Sequence, residues 1–192
     1  MARSDRATAV AIRAHGRRGA WAEALSLFRT ADAASGGAVA GDAGCRAAAI
    51  RAVGRAGRPD LALELLYEAE AARAQLDAAS YGAAISTCAR LGDWEHSMAL
   101  LGAMASAGLS PNVVAQSAAI TACQRGSQAK LALRLLYAMP KERLEPDVIA
   151  YSAAISACEE GRKWRDALHI LGLMKQVSVT PNVVSYSAAI SA

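Results

Sequence analysis

The sequence contains few aromatic residues and no long apolar run. Aromatic residues make up 5% of its 192 residues and phenylalanine occurs once, although hydrophobic residues reach 54%. Alanine supplies much of that fraction, so the side chains available for a core are mostly small. Small side chains of this kind favour helices and let them pack closely. No uninterrupted stretch of about 18 apolar residues occurs, so we predict no membrane span.

The chain has four cysteines, but their spacing is not that of a metal site. Cys88, Cys123 and Cys158 are separated by 35 residues each, and no Cys-x-x-Cys or paired Cys/His motif accompanies them. We therefore predict no metal site and no other cofactor. A cysteine that recurs in the same place of successive units is expected to be a small buried residue.

Neither charge sign dominates the sequence. The net charge is +4. Residues 1–60 hold ten Lys/Arg and five Asp/Glu, whereas the remaining residues hold eleven and twelve. The basic character therefore lies in the first third of the chain. It is weaker than the basic stripe expected of a committed nucleic-acid binder.

What the sequence does contain is a repeat of 35 residues. Successive copies start with VVAQSAAITAC at residue 113, VIAYSAAISAC at residue 148 and VVSYSAAISA at residue 183. Self-similarity at a fixed period of this size indicates a stacked repeat array. We predict a single array over residues 1–192. Its units cover residues 5–42, 43–77, 78–112, 113–147, 148–182 and, as a partial sixth, 183–192.

Each unit carries two helical patterns. The first places apolar residues at the fourth, eighth and eleventh positions, such as Tyr81, Ile85 and Cys88, which is the spacing of one helix face. The second has a wider apolar stripe that runs from Trp94 to Met104 in the third unit. Each later unit closes with proline followed by Asn or Asp, which ends the helix. The predicted fold class is therefore all-α, an α-solenoid of tandem helical hairpins with about five repeats plus a partial sixth.

A glycine usually follows the first helix of a unit within a few residues. We expect these glycines to be C-terminal caps. They are Gly57, Gly92, Gly126 and Gly161.

The thirteenth residue is arginine in four of the five units. These arginines are Arg17, Arg55, Arg90 and Arg125. A row of arginines that steps once per repeat is a phosphate track that a polyanion would follow. The same position lies at a helix C-terminus, where the helix dipole stabilises a cation by roughly 0.3–1 kcal/mol. Both interpretations stay open, and Glu160 interrupts the row in the fifth unit.

Three tryptophans begin second helices. Trp21, Trp94 and Trp164 lie on the apolar stripe, so we predict that they pack in the core. Stacking on nucleic-acid bases is the alternative.

No pattern in the sequence predicts an enzyme. His15, His96 and His169 occupy different repeat positions, so they form no repeated site. No triad order, phosphate-binding glycine loop or paired metal ligands can be assembled. We predict no catalytic residue.

Several of these features together resemble pentatricopeptide repeats, and the resemblance covers nearly the whole chain. They are the 35-residue period, the VVSYSAAISA helix start, the Ala-Leu-x-x-Leu second helix and the terminal Pro-Asn or Pro-Asp. Met104, Met139 and Met174 fit the same pattern. Tetratricopeptide repeats are the near alternative, but their period of about 34 residues and their first-helix pattern do not fit.

The resemblance implies a right-handed α-solenoid that binds single-stranded RNA in chloroplasts or mitochondria, in RNA processing, stability or translation. Repeat proteins of this type read one base per repeat with two or three side chains. In the family, the fifth and last residues of a repeat read the base. A small hydroxyl residue with Asn resembles the adenine-reading pair, and with Asp the guanine-reading pair, which implies purine preference at units four and five. The pairs are Ala47/Asp77, Gly82/Asn112, Ser117/Asp147 and Ser152/Asn182.

A protein-interaction scaffold or structural subunit of a larger organellar complex is the alternative function. The near-neutral last two thirds of the chain and the small number of repeats favour it. The N-terminal residues are rich in arginine, as in a targeting peptide. However, Ile12 keeps the register of Ile50 and Ile85, so we expect a first repeat there and no clear targeting peptide.

Overall fold

The computed structural model describes residues 2–34, 43–71 and 76–192. These residues form α-helices joined by short turns and contain no strand, as the predicted all-α class requires. The predicted end of the first unit, at residue 42, lies outside them. The helices are α1 (Ala2–Arg17), α2 (Trp21–Ala34), α3 (Ala43–Arg55), α4 (Pro59–Ala71), α5 (Ala78–Leu91), α6 (Trp94–Ser106), α7 (Val113–Arg125), α8 (Ala129–Ala138), α9 (Val148–Glu160), α10 (Trp164–Gln176) and α11 (Val183–Ser191), with a 3-10 turn at Met139–Glu142 after α8.

The helices group into two compact units. The first contains the described residues up to Thr87 together with Ser106–Ser110, and the second contains Cys88–Ala105 and Pro111–Ala192. Within the first unit α1 contacts α2 and α3, and α3 contacts α2 and α4. Within the second unit α7 contacts α8 and α9, and α9 contacts α8, α10 and α11. In both, the first helix of a hairpin packs on its own partner and on the first helix of the next hairpin.

Four first helices begin directly after an Asn or Asp that caps them: Asp77, Asn112, Asp147 and Asn182. Asn112, Asp147 and Asn182 have extended backbones with φ of −105°, −88° and −99°. Each accepts a hydrogen bond through Oδ1 from the backbone N–H three residues later, at 2.9, 2.8 and 2.9 Å. These N–H groups have no partner inside the helix, so the cap determines where each helix starts.

The first helix of every unit ends in a residue with left-handed backbone at the fifteenth position. These residues are Gly19, Gly57, Gly92, Ser127 and Arg162, with φ of 79°, 73°, 75°, 55° and 50°. The predicted glycine caps are therefore correct at Gly57 and Gly92. Gly126 and Gly161 are the C-cap residues of α7 and α9, as predicted, but their backbones are not left-handed, with φ of −84° and −82°.

The glycines at the fourteenth position are also required for space. A Cβ on Gly126 would collide with the ring of Trp94. A Cβ on Gly161 would lie 2.9 Å from the Cβ of Ala129, which holds the same position as Trp94 in the next unit. The start of each of these second helices thus packs directly against the backbone of the following repeat.

The apolar face predicted for the first helices is the core of each compact unit. Ile12, Ile50 and Ile85 are fully buried in the first unit, and Ile120 and Ile155 are fully buried in the second. The cysteines three residues further on are buried too, as expected. They are Cys88, Cys123 and Cys158.

Burial also determines the chemistry of these thiols. Desolvation raises the pKa of Cys88, Cys123 and Cys158 to about 11 in each case. For Cys88 the charge of Asp93 adds to this effect. The neutral thiol is therefore the stable form at physiological pH, and these cysteines are suited to packing rather than to nucleophilic chemistry.

We predict that Cys88, Cys123 and Cys158 resist alkylation in the folded protein. At pH 8 a thiol of pKa about 11 is only about 0.1% thiolate, so iodoacetamide should label these residues only after urea unfolds the chain. Mass spectrometry of the labelled peptides measures this. The raised pKa also predicts that these thiols leave the free energy of unfolding unchanged well below pH 9 and lower it between about pH 9 and 11, because the unfolded thiols ionise first. Rapid labelling of folded protein at pH 8 would contradict the prediction.

Ser97 breaks the pattern of its repeat position and lacks a partner. The twentieth position holds alanine in the other four units, at Ala24, Ala62, Ala132 and Ala167, all essentially buried. Ser97 is fully buried, and its Oγ has no hydrogen-bond partner within the described residues. A buried hydroxyl without a partner costs roughly 1–3 kcal/mol.

We predict that Ser97→Ala raises the free energy of unfolding by about 1 kcal/mol, because the substitution removes that cost. Urea denaturation measures the change. Ala132→Ser is the matched control, since it adds a hydroxyl at the same repeat position and should lower stability. A loss of stability in Ser97→Ala would mean that the hydroxyl makes a bond that the fold depends on.

Candidate nucleic-acid interface

In the second compact unit, the fifth and last residues of a repeat are joined by a side-chain hydrogen bond. Ser117 Oγ donates to Asp147 Oδ1 at 2.9 Å. Ser152 Oγ donates to Asn182 Oδ1 at 3.3 Å and lies 2.8 Å from Ser185 Oγ. The structure thus brings together two of the four pairs named from the sequence, although their members are 30 residues apart.

The same Oδ1 atoms also cap the following helix, and this determines which atom each side chain has left over. Asp147 Oδ1 accepts from Ala150 N, and Asn182 Oδ1 accepts from Ser185 N. A backbone N–H needs an acceptor, so the capping atom of Asn182 is its oxygen. Asp147 Oδ2 and Asn182 Nδ2 have no hydrogen bond within the described residues. Asp147 therefore presents an acceptor, and Asn182 presents a donor.

An exposed apolar side chain stands beside each of these polar positions. Val114, Ile149 and Val184 are 64%, 62% and 55% exposed, and each holds the second position of its repeat. Each lies three residues before the fifth position, which places the two on the same side of the helix. A planar base could pack against the apolar side chain while its edge meets the polar atom. The recurring second position was visible in the sequence, but its exposure was not.

Of the other predicted base-reading residues, Asp77 and Asn112 are helix caps, whereas Ala47 and Gly82 lie inside helices. Asp77 Oδ1 accepts from both the N–H and the Oγ of Ser80 at 2.8 Å. Asn112 caps α7. Ala47 is buried and offers only a methyl group to Asp77. Gly82 belongs to the first compact unit, whereas Asn112 belongs to the second.

The arginines predicted to form a phosphate track are all exposed, but their surroundings differ. Arg17 and Arg55 line one cleft of the first compact unit. In the second unit, Arg125 Nη1 donates to the backbone oxygen of Arg90 at 2.5 Å. Arg125 thus neutralises a helix C-terminus, which is the structural alternative raised from the sequence.

Glu160, which interrupts the arginine row, is held by the preceding repeat. Its carboxylate accepts from Gln124 Nε2 at 2.6 Å and from Ser127 Oγ at 3.2 Å. At Arg125 and at Glu160 the thirteenth position therefore ties two neighbouring repeats together, once through arginine and once through glutamate.

The tryptophans do not share one environment. Trp94 is partly buried and packs over Gly126. Trp21 is partly buried with the Arg58 guanidinium 5.4 Å from its ring centre. Trp164 is 52% exposed, with Arg165 5.0 Å from its ring, so the predicted core packing is wrong at this position.

In the described part of the chain, no group of three or more His, Cys, Asp or Glu side chains could hold a metal ion. No helix in that part is long and apolar enough to cross a membrane.

These observations define a class of protein: an α-helical repeat protein whose first helices present one small polar and one apolar side chain per repeat. A family model for the pentatricopeptide repeat domain matches residues 99–161 and 134–192, and a model for the PPR repeat matches residues 79–109. The chain belongs to the pentatricopeptide repeat family. This confirms the resemblance seen in the sequence and the α-solenoid fold class.

Solved structures with this fold include RNA complexes. PPR10 in complex with an 18-nt psaJ RNA element is 25% identical to this chain, with a TM-score of 0.69. The match covers 95% of this chain and 29% of PPR10. PPR10 from maize is 29% identical to this chain, with a TM-score of 0.66. The match covers 96% of this chain and 26% of that one. The PPR domain of Arabidopsis thaliana protein-only RNase P 1 in complex with tRNA shares the fold at 16% identity, with a TM-score of 0.67. The match covers 73% of this chain and 75% of that domain. The chain thus spans less than a third of PPR10. No curated protein sequence matches it.

We predict that Asp147→Ala lowers the free energy of unfolding by about 1 kcal/mol, because α9 loses its cap and Ser117 loses its acceptor. Asp147→Asn keeps the Oδ1 acceptor and should change stability far less. Glu145→Ala is the control, since it removes the same charge from an exposed side chain two residues away. Urea denaturation of the three variants measures the difference. Equal losses in Asp147→Ala and Glu145→Ala would show that charge, not capping, is responsible.

Proposed function

We propose that this chain binds single-stranded RNA and acts on chloroplast or mitochondrial transcripts as a non-catalytic binding module. The observation that carries the proposal is the unused polar atom at the end of each of two successive repeats. Asp147 Oδ2 and Asn182 Nδ2 are left over after capping and serine bonding are complete. The RNA complexes of PPR10 and of the protein-only RNase P 1 domain support the choice of ligand.

Recognition would combine one hydrogen bond and one apolar contact per base. Val114 and Ile149 would pack against base faces, and a third contact of this kind would come from Val184. Such contacts tolerate any base because every base has a flat face. Discrimination would then come from the polar atom at the last position of the repeat.

The two polar atoms have opposite hydrogen-bonding roles, so they suit different bases. The acceptor Asp147 Oδ2 suits a base whose Watson–Crick edge donates, as guanine does. The donor Asn182 Nδ2 suits a ring nitrogen that accepts, as adenine offers. The leftover atoms thus separate guanine from adenine, whereas the preference for purines over pyrimidines at the fourth and fifth units is what the family resemblance implies.

The bonds to serine would hold each reading side chain in place before RNA arrives. Ser117 and the N–H of Ala150 together fix the carboxylate plane of Asp147. A side chain already restrained in this way loses less conformational freedom on binding. Ser117 and Ser152 would thus position the reading residues, rather than contact the base alone.

We predict that the full chain binds a pyrimidine oligoribonucleotide containing a GA or AG step more tightly than one without it. Asp147→Asn should shift the preference at one position from guanine to adenine, by about tenfold for one charge-assisted hydrogen bond. Fluorescence anisotropy at about 50 mM salt, where phosphate contacts are strongest, measures both. Because Asn keeps the cap, the variant stays folded.

Controls separate base reading from general RNA affinity. Glu145→Gln removes a nearby exposed charge and should change the affinity for all sequences equally. Asn182→Asp should produce the opposite switch, from adenine to guanine. Absence of binding at this salt concentration, together with a stable protein complex that survives nuclease, would favour the scaffold function instead.

A further inference from the structure

A cleft of about 240 Å³ lies between α1 and α3 in the first compact unit. Its walls carry four arginines, two from each helix: Arg13 and Arg17 from α1, and Arg51 and Arg55 from α3. Its floor is formed by Gly16, Ala48 and Ala52. Arg13 and Arg51 hold the ninth position of their repeats, where the later units carry Ser86, Thr121 and Ser156.

Small residues at the floor are what bring the arginines together. A Cβ on Gly16 would lie 2.8 Å from the Cβ of Ala52, so α1 and α3 approach as closely as a glycine allows. Two arginines one turn apart on each helix then face the same space. The close approach is a property of the backbone and small side chains, and it forces four positive charges into one cleft.

The arrangement is electrostatically unfavourable as it stands. Burial lowers the pKa of Arg51, and the charges of Arg13 and Arg55 lower it further, while Asp77 acts in the opposite direction. None of the four arginines forms an ion pair with another described residue. Like charges four residues apart on a helix are destabilising. An anion bound in the cleft would remove this repulsion.

The helix dipole accounts for only one arginine per helix. Arg17 and Arg55 are the last residues of α1 and α3, where a cation offsets the partial negative charge of the helix end. Arg13 and Arg51 lie a full turn earlier, and the dipole effect falls off within the last turn. The second pair therefore leaves an excess of positive charge.

The size and lining of the cleft indicate the ligand. Its volume is below the roughly 300–1,000 Å³ of typical small-molecule sites, and no aromatic side chain lines it. A base therefore has no aromatic surface to stack on in this cleft. Guanidinium groups match phosphate oxygens with paired N–H donors.

We propose that this arginine cleft binds a phosphate group, and that it prefers a dianionic terminal phosphate of RNA to the monoanionic phosphodiester within the strand. The second part rests on the proposed RNA binding. A terminal phosphate has three unsubstituted oxygens and a charge approaching −2, which suits four guanidiniums better than two oxygens and a single charge. The cleft would thus recognise an end of the RNA.

Two arms of one experiment on the full chain test the proposal. In the first, inorganic phosphate is the probe, and thermal unfolding is compared with chloride at equal ionic strength. We expect phosphate to raise the melting temperature of the native chain. In the second, anisotropy compares oligoribonucleotides of one sequence with a 5′-phosphate, a 3′-phosphate or hydroxyl ends. We expect one phosphorylated end to bind about tenfold more tightly than hydroxyl ends.

The variants Arg13→Gln and Arg51→Gln should abolish both effects while leaving affinity for hydroxyl-ended RNA within about twofold. Because each substitution relieves repulsion, neither should lower the melting temperature without phosphate. Arg18→Gln is the matched control, since it removes an exposed charge next to Arg17 that does not line the cleft. It should retain the phosphate response and the end preference.

The outcomes distinguish this inference from the function on which it rests. If RNA binds with no end preference and phosphate acts only as chloride does, the cleft proposal is overturned and RNA binding stands. If phosphate stabilises the native chain but not Arg51→Gln, and no RNA binds, the phosphate site is supported and its RNA source is overturned. If Arg18→Gln also loses the rise in melting temperature with phosphate, the overall positive charge explains the effect and the proposed site is overturned.

Discussion

One side-chain oxygen per repeat performs two structural tasks, and the architecture of the second compact unit depends on it. Asp147 Oδ1 accepts the N–H that starts α9 and the hydroxyl of Ser117 from the preceding repeat's first helix. A cap of this kind contributes about 1 kcal/mol. The same oxygen therefore both starts a helix and connects that helix to the preceding repeat. The structural role consumes one atom, and the proposed recognition role uses the other, so Asp and Asn can exchange at this position without loss of the fold.

Close backbone approach is the second constraint, and it comes from small residues rather than from large ones. Gly126 leaves room for the ring of Trp94, and Gly16 lets α1 reach Ala52. These contacts set the distance between consecutive first helices. That distance decides which side chains of successive repeats face each other. The alanine-rich composition is thus the reason that the polar and charged residues of adjacent repeats can meet.

Much of the fold could be predicted because its information is local. The spacing of Tyr81, Ile85 and Cys88 defines one helix face, and that face is buried. What the sequence did not predict arises where two repeats meet. Gly126 and Gly161 end their helices as predicted, but the left-handed residue is the next one, and the glycines also leave room for the preceding hairpin. Trp164 shares its repeat position with Trp94 but is half-exposed, because burial at this position depends on the residues packed over the ring and not on the helix pattern.

The amino-acid order alone was sufficient for the repeat period, the helices and their buried faces, and the residues that end each repeat. All of these features follow from interactions between side chains that lie a few positions apart. Every copy of the unit repeats those interactions. Only the tertiary structure decided which atom of Asp147 or Asn182 is left for a ligand, because that depends on a serine 30 residues away. It also decided that Arg13 and Arg51 meet, because their distance is set by the approach of Gly16 to Ala52 and not by any spacing along the chain.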